Sequence, residues 1–246
     1  MPTCMEHGFL LWDIDHTLID VSKFRETVYR EIFISVTGLP FKGLASTPGR
    51  TTFDKISETL LLHGVAPTKS IVDVIAELLT HAYESTVDLN KEARLLPGAD
   101  AVLRYFSSTG SFHQSVVTGN LRRIATMKIN AFGLAGHLDL TVGAFGDDGV
   151  PRAALLPIAL ERYLTQRGKL PPRQMIFVLG DTIHDMMAAR RIGVRAVGVG
   201  TGRFSTAELA AAGAELVVGS LTDFEKIRHF IAAPTSKLGL VRPREV

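Results

Sequence analysis

The sequence predicts an α/β fold in which a parallel sheet lies between layers of helices and an all-helical segment interrupts the sheet just after its first strand. Three observations carry this expectation. A short apolar run, Phe9-Leu10-Leu11-Trp12, leads straight into Asp13, as a fully buried strand with a polar carboxyl end would. From about Val21 to Ala93 the chain reads as helix after helix. Beyond Leu96-Pro97-Gly98, strands and helices alternate at the spacing of βαβ units.

In order, a helix is expected over Val21 to Val36, ending near Gly38 and Pro40. A second runs from about Thr52 to Leu62 and stops at His63-Gly64. A third follows Pro67, capped by Thr68 or Ser70, and continues to about Ser85. The alternating region then gives a helix over Ala99 to Phe106 and a strand at Ser115-Val116-Val117. A helix from Leu121, a strand over Leu138 to Val142 and a long helix from about Ala153 to Gln166 come next. The series closes with a strand at Met175 to Leu179, a helix from His184 to Arg191, a strand at Ala196 to Val199, a helix over Thr206 to Ala212 and a short strand at Leu216 to Val218. The implied division is a core of residues 1–19 and 95–233, a helical segment of 20–94, and a tail of 234–246 that is short and basic and frays.

Composition sets limits on function. Of the 246 residues, 46% are hydrophobic and 21% charged, which is ample for a packed core and argues against disorder. Net charge is +2 from 27 basic and 25 acidic residues; a nucleic-acid binder would carry a clustered basic excess. The pairs Arg122-Arg123 and Arg190-Arg191 fall in helical stretches and read as solvated faces. No apolar run reaches the ~18 residues of a membrane span. The first residues, MPTCMEHG, carry an acid and no basic region ahead of an apolar stretch, so no signal peptide is expected there. The single cysteine, Cys4, excludes an internal disulfide and a cysteine-built zinc site. A cytoplasmic location is therefore expected.

In open parallel sheets, ligands bind beyond the carboxyl ends of the strands. Three such ends carry unusual polar residues: Asp13-Ile14-Asp15-His16-Thr17, Thr118-Gly119-Asn120, and Gly180-Asp181-Thr182-Ile183-His184-Asp185. An Asp-rich turn would account for the first, but two carboxylates at this spacing can divide labour. One attacks an electrophilic phosphorus, and the other gives a proton to the leaving group and takes one from water. Thr17 is placed to orient the second carboxylate. Asp181 and Asp185 alone suit a helix start, with Gly180 allowing a tight turn. Beside Asp13 and Asp15, however, four carboxylates repel one another unless a cation sits among them, and oxygen ligands favour Mg²⁺. Thr118, Gly119 and Asn120 form either an ordinary helix cap or a phosphate cradle. Arg152, at a helix start where the dipole disfavours a cation, is the candidate to neutralise a phosphoryl group.

Together these segments resemble the haloacid dehalogenase (HAD) superfamily of hydrolases, nearest its phosphoglycolate phosphatase-like branch. The match comprises DxDxT at Asp13 to Thr17, a strand-end threonine at Thr118, a basic residue at Arg152 and GDxxxD at Gly180 to Asp185, in family order across residues 8 to 220 or so. The resemblance implies a Rossmann-like three-layer core with a helical cap of the first type. It implies Asp13 as nucleophile and Mg²⁺ ligand, and Asp15 as acid/base that also offers its carbonyl to the metal. Thr118 and Arg152 would bind the phosphoryl group, and Asp181 would hold the metal, with Asp185 a ligand or a support through water. Arg152 stands where many members have lysine, and Lys169 lies too near the last motif to replace it. His16 replaces the usual glycine, and it faces the cap, faces the leaving group or fills space. Arg50, in the break Ser46 to Thr52, corresponds to a Gly-Arg-Thr-like loop over the active site and would grip an anionic part of the substrate.

The expected activity is Mg²⁺-dependent hydrolysis of a small phosphorylated metabolite through an aspartyl-phosphate, with no nucleic-acid or membrane partner. A halide needs no proton, so Asp15 disfavours dehalogenation. A phosphomutase on the same scaffold is the alternative, as is a phosphonatase-like C–P hydrolase, which would need a cap lysine; Lys23, Lys42, Lys55 and Lys69 are available. A non-catalytic binding protein is disfavoured by the intact acidic set. No P-loop, GxSxG elbow or HExxH motif occurs.

Overall fold

A computed structural model describes residues 8–21, 25–46, 49–149 and 151–232. Cys4, Lys23 and the 234–246 tail lie outside these residues. β1 (Gly8–Trp12) lies inside a five-stranded sheet that also contains β4 (Phe112–Val116), β5 (Ile176–Gly180), β6 (Arg195–Val199) and β7 (Leu216–Val218). The order is β4-β1-β5-β6-β7 and every pairing is parallel. All five residues of β1 are buried, as expected of a strand covered on both faces. Its alternate side chains separate into two cores. Leu10 and Trp12 join Phe106, Ile124, Phe177 and the helices on one face. Phe9 and Leu11 join Leu155, Ala159, Val178 and Met186 on the other, which is the period-two alternation of a pleated strand.

A second, two-stranded ribbon pairs β2 (Ile19–Asp20) with β3 (Arg94–Leu95) in antiparallel fashion. Between its strands run α1 (Arg25–Thr37), α2 (Thr52–Leu62), α3 (Lys69–Ser85) and the short α4 (Leu89–Glu92). The breaks between helices follow from the sequence. Thr51 and Asp54 form a reciprocal capping box at the start of α2, and the Thr68 hydroxyl caps α3. The remaining helices are α5 (Ala99–Thr109), α6 (Arg122–Ala131), α7 (Leu155–Arg167), α8 (Ile183–Ile192), α9 (Thr206–Ala212) and α10 (Phe224–Ala232).

One expected strand does not form. Leu138 to Val142 runs as irregular chain after a 3₁₀ turn at Ala135–His137. Leu138 and Val142 are buried as a strand pattern would require. The Asp139 carboxylate, however, accepts from the Thr141 backbone N–H at 2.9 Å. That local bond takes the Thr141 N–H out of ladder pairing, so the segment meets the β4 strand at separate points, through the Asp139 N–H to the Gln114 carbonyl at 2.8 Å and the bridge between Ala144 and Val117. Arg122 also departs from the expected solvated face: it donates to the Leu140 carbonyl at 2.8 Å and lies 3.9 Å over the Phe145 ring. No helix among the described residues is long and apolar enough to cross a membrane.

Candidate active site

The carboxyl ends of three adjacent strands, β4, β1 and β5, deliver Thr118, Asp13 and Asp181 to one cleft of about 770 Å³. Its walls also include Asp15, His16, Arg50, Gly119, Asn120 and Arg152. Of the motif residues singled out in the sequence, Thr17, Gly180 and Asp185 do not line this cleft; Asp185 touches the wall residue Arg152. Asp13 continues β1, its N–H donating to the Leu179 carbonyl of β5 at 2.9 Å. One carboxylate oxygen from each of Asp13, Asp181 and Asp185 falls within 4.8 Å of the others, and all three residues are buried.

Asp185 does two jobs. Its Oδ2 accepts from the Thr182 hydroxyl at 2.7 Å and the Thr182 N–H at 3.2 Å, closing a capping box at the start of α8. Its Oδ1 receives the Arg152 guanidinium at 2.6 Å. Arg152 itself sits on a 3₁₀ turn, Arg152–Ala154, just before α7, and also reaches Asp13 Oδ1 at 3.2 Å. Gly180 is needed here for space rather than for a turn. It is absent from the positive-φ glycines among the described residues, but a Cβ on it would lie 2.4 Å from Asp185 Oδ2.

Crowding like charges in a dry site moves their pKa values. Burial pushes the Asp181 carboxyl far above the carboxylate range, and the neighbouring Asp13 and Asp185 push it further. Asp13 is also raised: burial and the Asp185 and Asp15 charges outweigh the pull of Arg152. Burial alone would lower the Arg152 pKa, but Asp13 and Asp185 hold it above its ordinary value. A set of oxygen-only donors whose ionisation is opposed by its own members is relieved by a hard divalent cation. Asp185 has both oxygens engaged, so Asp13 and Asp181 are the donors best able to reach such an ion.

Thr17 does not orient Asp15. Its hydroxyl lies 3.5 Å from Asp181 Oδ1 instead. The group that holds Asp15 is one the sequence reading missed: Lys128 of α6, whose Nζ is 2.6 Å from Asp15 Oδ1 and 2.7 Å from Asn120 Oδ1. Lys128 is only 1% exposed. The available signal was a lysine among Ile124, Ala125 and Ile129 on the apolar stripe of a helix, where an unpaired ammonium is costly.

The other sequence-marked residues take definite places. Asn120 donates to the Thr118 hydroxyl from its backbone N at 3.3 Å and its amide at 2.9 Å, so part of the expected phosphate cradle is already engaged. His16 is the one non-glycine at positive φ among the described residues, at 61°, which explains why glycine is at ease there. Its Nδ1 lies 3.8 Å from Asp20 Oδ1, and its carbonyl accepts from the Thr201 hydroxyl. Arg50 is about half exposed, with Nε 4.0 Å from Glu58, and a Cβ on Gly119 would lie 2.4 Å from the Arg50 carbonyl. The helical segment is clasped to the core at this point, because Thr52 donates to the Gly119 carbonyl from its N–H at 2.8 Å and its hydroxyl at 3.1 Å. Of the lysines considered for a Schiff base, Lys55 lines the cleft, whereas Lys69 pairs with Asp73 on the surface.

The haloacid dehalogenase-like hydrolase family profile matches residues 10–199, from β1 through β6 and every strand end described above. The chain belongs to the haloacid dehalogenase-like hydrolase family. No curated protein matches it. Solved structures share the fold of this HAD-like hydrolase at low identity. A hydrolase from Pseudomonas syringae is 23% identical, with a TM-score of 0.70 over 92% of this chain and 100% of that one. A predicted phosphoglycolate phosphatase from Haemophilus somnus is 17% identical, with a TM-score of 0.67 over 92% and 100%. CbbY from Rhodobacter sphaeroides, in complex with phosphate, is 18% identical, with a TM-score of 0.67 over 89% and 96%. As in other open parallel sheets, the cleft of this HAD-like hydrolase lies at the carboxyl edge.

Proposed function

We propose that this HAD-like hydrolase is an Mg²⁺-dependent phosphatase that cleaves a small phosphorylated metabolite through an aspartyl-phosphate. The observation that carries the reading is the placement of Asp13 at the end of β1, between Thr118 beyond the end of β4 and the buried Asp181 and Asp185 beyond the end of β5. The phosphate complex and the phosphoglycolate phosphatase among the similar folds support it.

Asp13 attacks phosphorus through a carboxylate oxygen while the bond to the leaving oxygen breaks. Asp15 protonates that oxygen, then removes a proton from the water that hydrolyses the acyl phosphate and regenerates Asp13. Thr118 donates its hydroxyl proton to a phosphoryl oxygen. Arg152 draws together Asp13 and Asp185 and adds positive charge beside the incoming dianion. Asp13 and Asp181, with the Asp15 carbonyl and with Asp185 behind them, hold Mg²⁺, which when bound neutralises charge between nucleophile and substrate. Gly119 and Asn120 complete the phosphate side. Residues 20–94 form the cap, residues 1–19 and 95–233 the catalytic core, and Arg50 meets an anionic part of the substrate from the cap side.

The test is release of inorganic phosphate from a panel of phosphorylated metabolites with and without Mg²⁺, using Asp13→Asn as the control. Turnover that Asp13→Asn lowers by at least about 10⁴-fold supports the reading. Absence of phosphate release across the panel, or full activity in Asp13→Asn, overturns it.

A further inference from the structure

We propose that Lys128 is a positioning residue that fixes, from one buried ammonium, both the acid/base carboxylate of Asp15 and the donor polarity of Thr118. The inference rests on the phosphoryl-transfer reading above. It starts from a burial problem: an ammonium that is 1% exposed must be paired and hydrogen-bonded to be tolerated. Lys128 meets this requirement inside the cleft. Its Nζ is 2.6 Å from Asp15 Oδ1 and 2.7 Å from Asn120 Oδ1, and 5.6 Å from the centroid of Tyr83 on α3.

The consequences follow from donor and acceptor chemistry. An ammonium has only protons to give, so the Asn120 side chain must present its oxygen to Lys128 and its NH₂ to Thr118. The Thr118 oxygen then accepts two protons, at 2.9 Å from the amide and 3.3 Å from the Asn120 backbone. Its own single proton is thereby left to point elsewhere, as a donor into the cleft that Thr118 lines. At its other end Lys128 pins one oxygen of Asp15. The Thr118–Asn120–Lys128–Asp15 chain thus couples the group that grips phosphate to the group that serves the leaving oxygen. Were the Asn120 amide reversed, Thr118 would have to donate to it and would lose its proton for the substrate.

The experiment uses Lys128→Met, which is close in length and lacks the charge, and Lys128→Gln, which keeps an NH₂ donor group without the charge. Each is assayed on an alkyl phosphate and on nitrophenyl phosphate, alone and combined with Asp15→Asn. A crystal structure of the more stable variant is determined alongside. We expect about a 10–100-fold loss of kcat on the alkyl phosphate, a smaller loss on the activated one, and a milder effect in Lys128→Gln. On the Asp15→Asn background, Lys128→Met should cost clearly less kcat than it does alone, and equally on both substrates, because only the arm through Asn120 and Thr118 is then left to lose. The crystal structure should show the Asp15 carboxylate displaced. Equal losses on both substrates that simply add to those of Asp15→Asn would make Lys128 a structural residue and overturn the proposal. An Asp15 side chain that does not move in the variant overturns it without reference to turnover. A wild-type protein that releases no phosphate would instead count against the phosphatase reading.

Discussion

Arg152 and Asp185 form a buried ion pair, Nη2 to Oδ1 at 2.6 Å, at the point where a helix cap and the candidate active site share one carboxylate. The other oxygen of Asp185 is committed to Thr182, so the pair ties the α8 terminus to the turn before α7. The same guanidinium nitrogen is 3.2 Å from Asp13. Removing it leaves two buried carboxylates without their counter-charge. Breaking a buried pair typically costs about 3–5 kcal/mol. Arg152→Ala should therefore lower the melting temperature in chelator steeply, and Mg²⁺ should recover part of the loss. Arg152→Lys should keep part of the stability, because a single nitrogen, Nη2, meets both carboxylates, and lose the rest, because the ammonium lacks the rigid planar donor geometry that holds that nitrogen in place. Thermal melts of the three proteins with and without Mg²⁺ check this; an Arg152→Ala protein as stable as wild type in chelator would refute it.

Asp181 stores strain of the opposite kind. Its carboxyl is raised by burial and by Asp13 and Asp185, to about 9. Between the ordinary carboxylate pKa of about 4 and that value, the folded chain holds the proton that the unfolded chain has lost. The folded state then binds more protons, and stability falls as pH rises through this window. Asp181→Asn removes the titration. In chelator it should be more stable than wild type by about 1–3 kcal/mol at pH 8, with the gain fading as pH approaches 4. Melting curves across that range decide the matter, and a variant less stable than wild type at pH 8 would count against it.

Asp15 should reveal its task through the leaving group. Asp15→Asn should lose about 10²–10⁴-fold in the rate of an alkyl phosphate. Its loss on nitrophenyl phosphate should be smaller, since that leaving group departs with little protonation. Equal losses would remove the acid role from the first step.

Arg50 lies near the clasp between Thr52 and Gly119 with its side chain half in solvent. Arg50→Ala should leave the melting temperature and Mg²⁺ affinity unchanged. It should raise KM about tenfold or more for a substrate with a second anionic group and affect a neutral-tailed phosphate little. A uniform loss across both substrates would reassign Arg50 to closure.

The parts of this molecule that could be read from sequence are those where local pattern and tertiary role coincide. Asp13 and Asp181 each follow a short apolar run, so the strand and its reactive end are written side by side. The helices from Thr52 and Thr206 begin at side-chain caps that are themselves local signals. Lys128 was not legible because its partners, Asp15 and Asn120, lie on two different strand-end loops, and only the docking of α6 brings the three together. The ribbon of β2 and β3 was missed for the same reason: two residues per strand carry no periodicity. At Leu138 to Val142 the apolar alternation was present, but the Asp139 side chain turns the chain by accepting from the Thr141 N–H. Gly180 was noticed for the wrong property, since it supplies room for Asp185 rather than an unusual φ.

The β2–β3 ribbon brings the two ends of the helical segment side by side, with Ile19 opposite Leu95 and Asp20 opposite Arg94. A chain that leaves and returns at neighbouring points can lengthen, shorten or be exchanged between them at little entropic cost, because closure grows only slowly with loop length. None of the three adjoining strands that carry Asp13, Thr118 and Asp181 needs to shift when that happens. In inheritance terms the molecule has two separately adjustable parts: a cluster of buried carboxylates anchored in a sheet that tolerates little alteration, and a hanging loop of helices in which insertions, deletions and recombination can accumulate one lineage at a time.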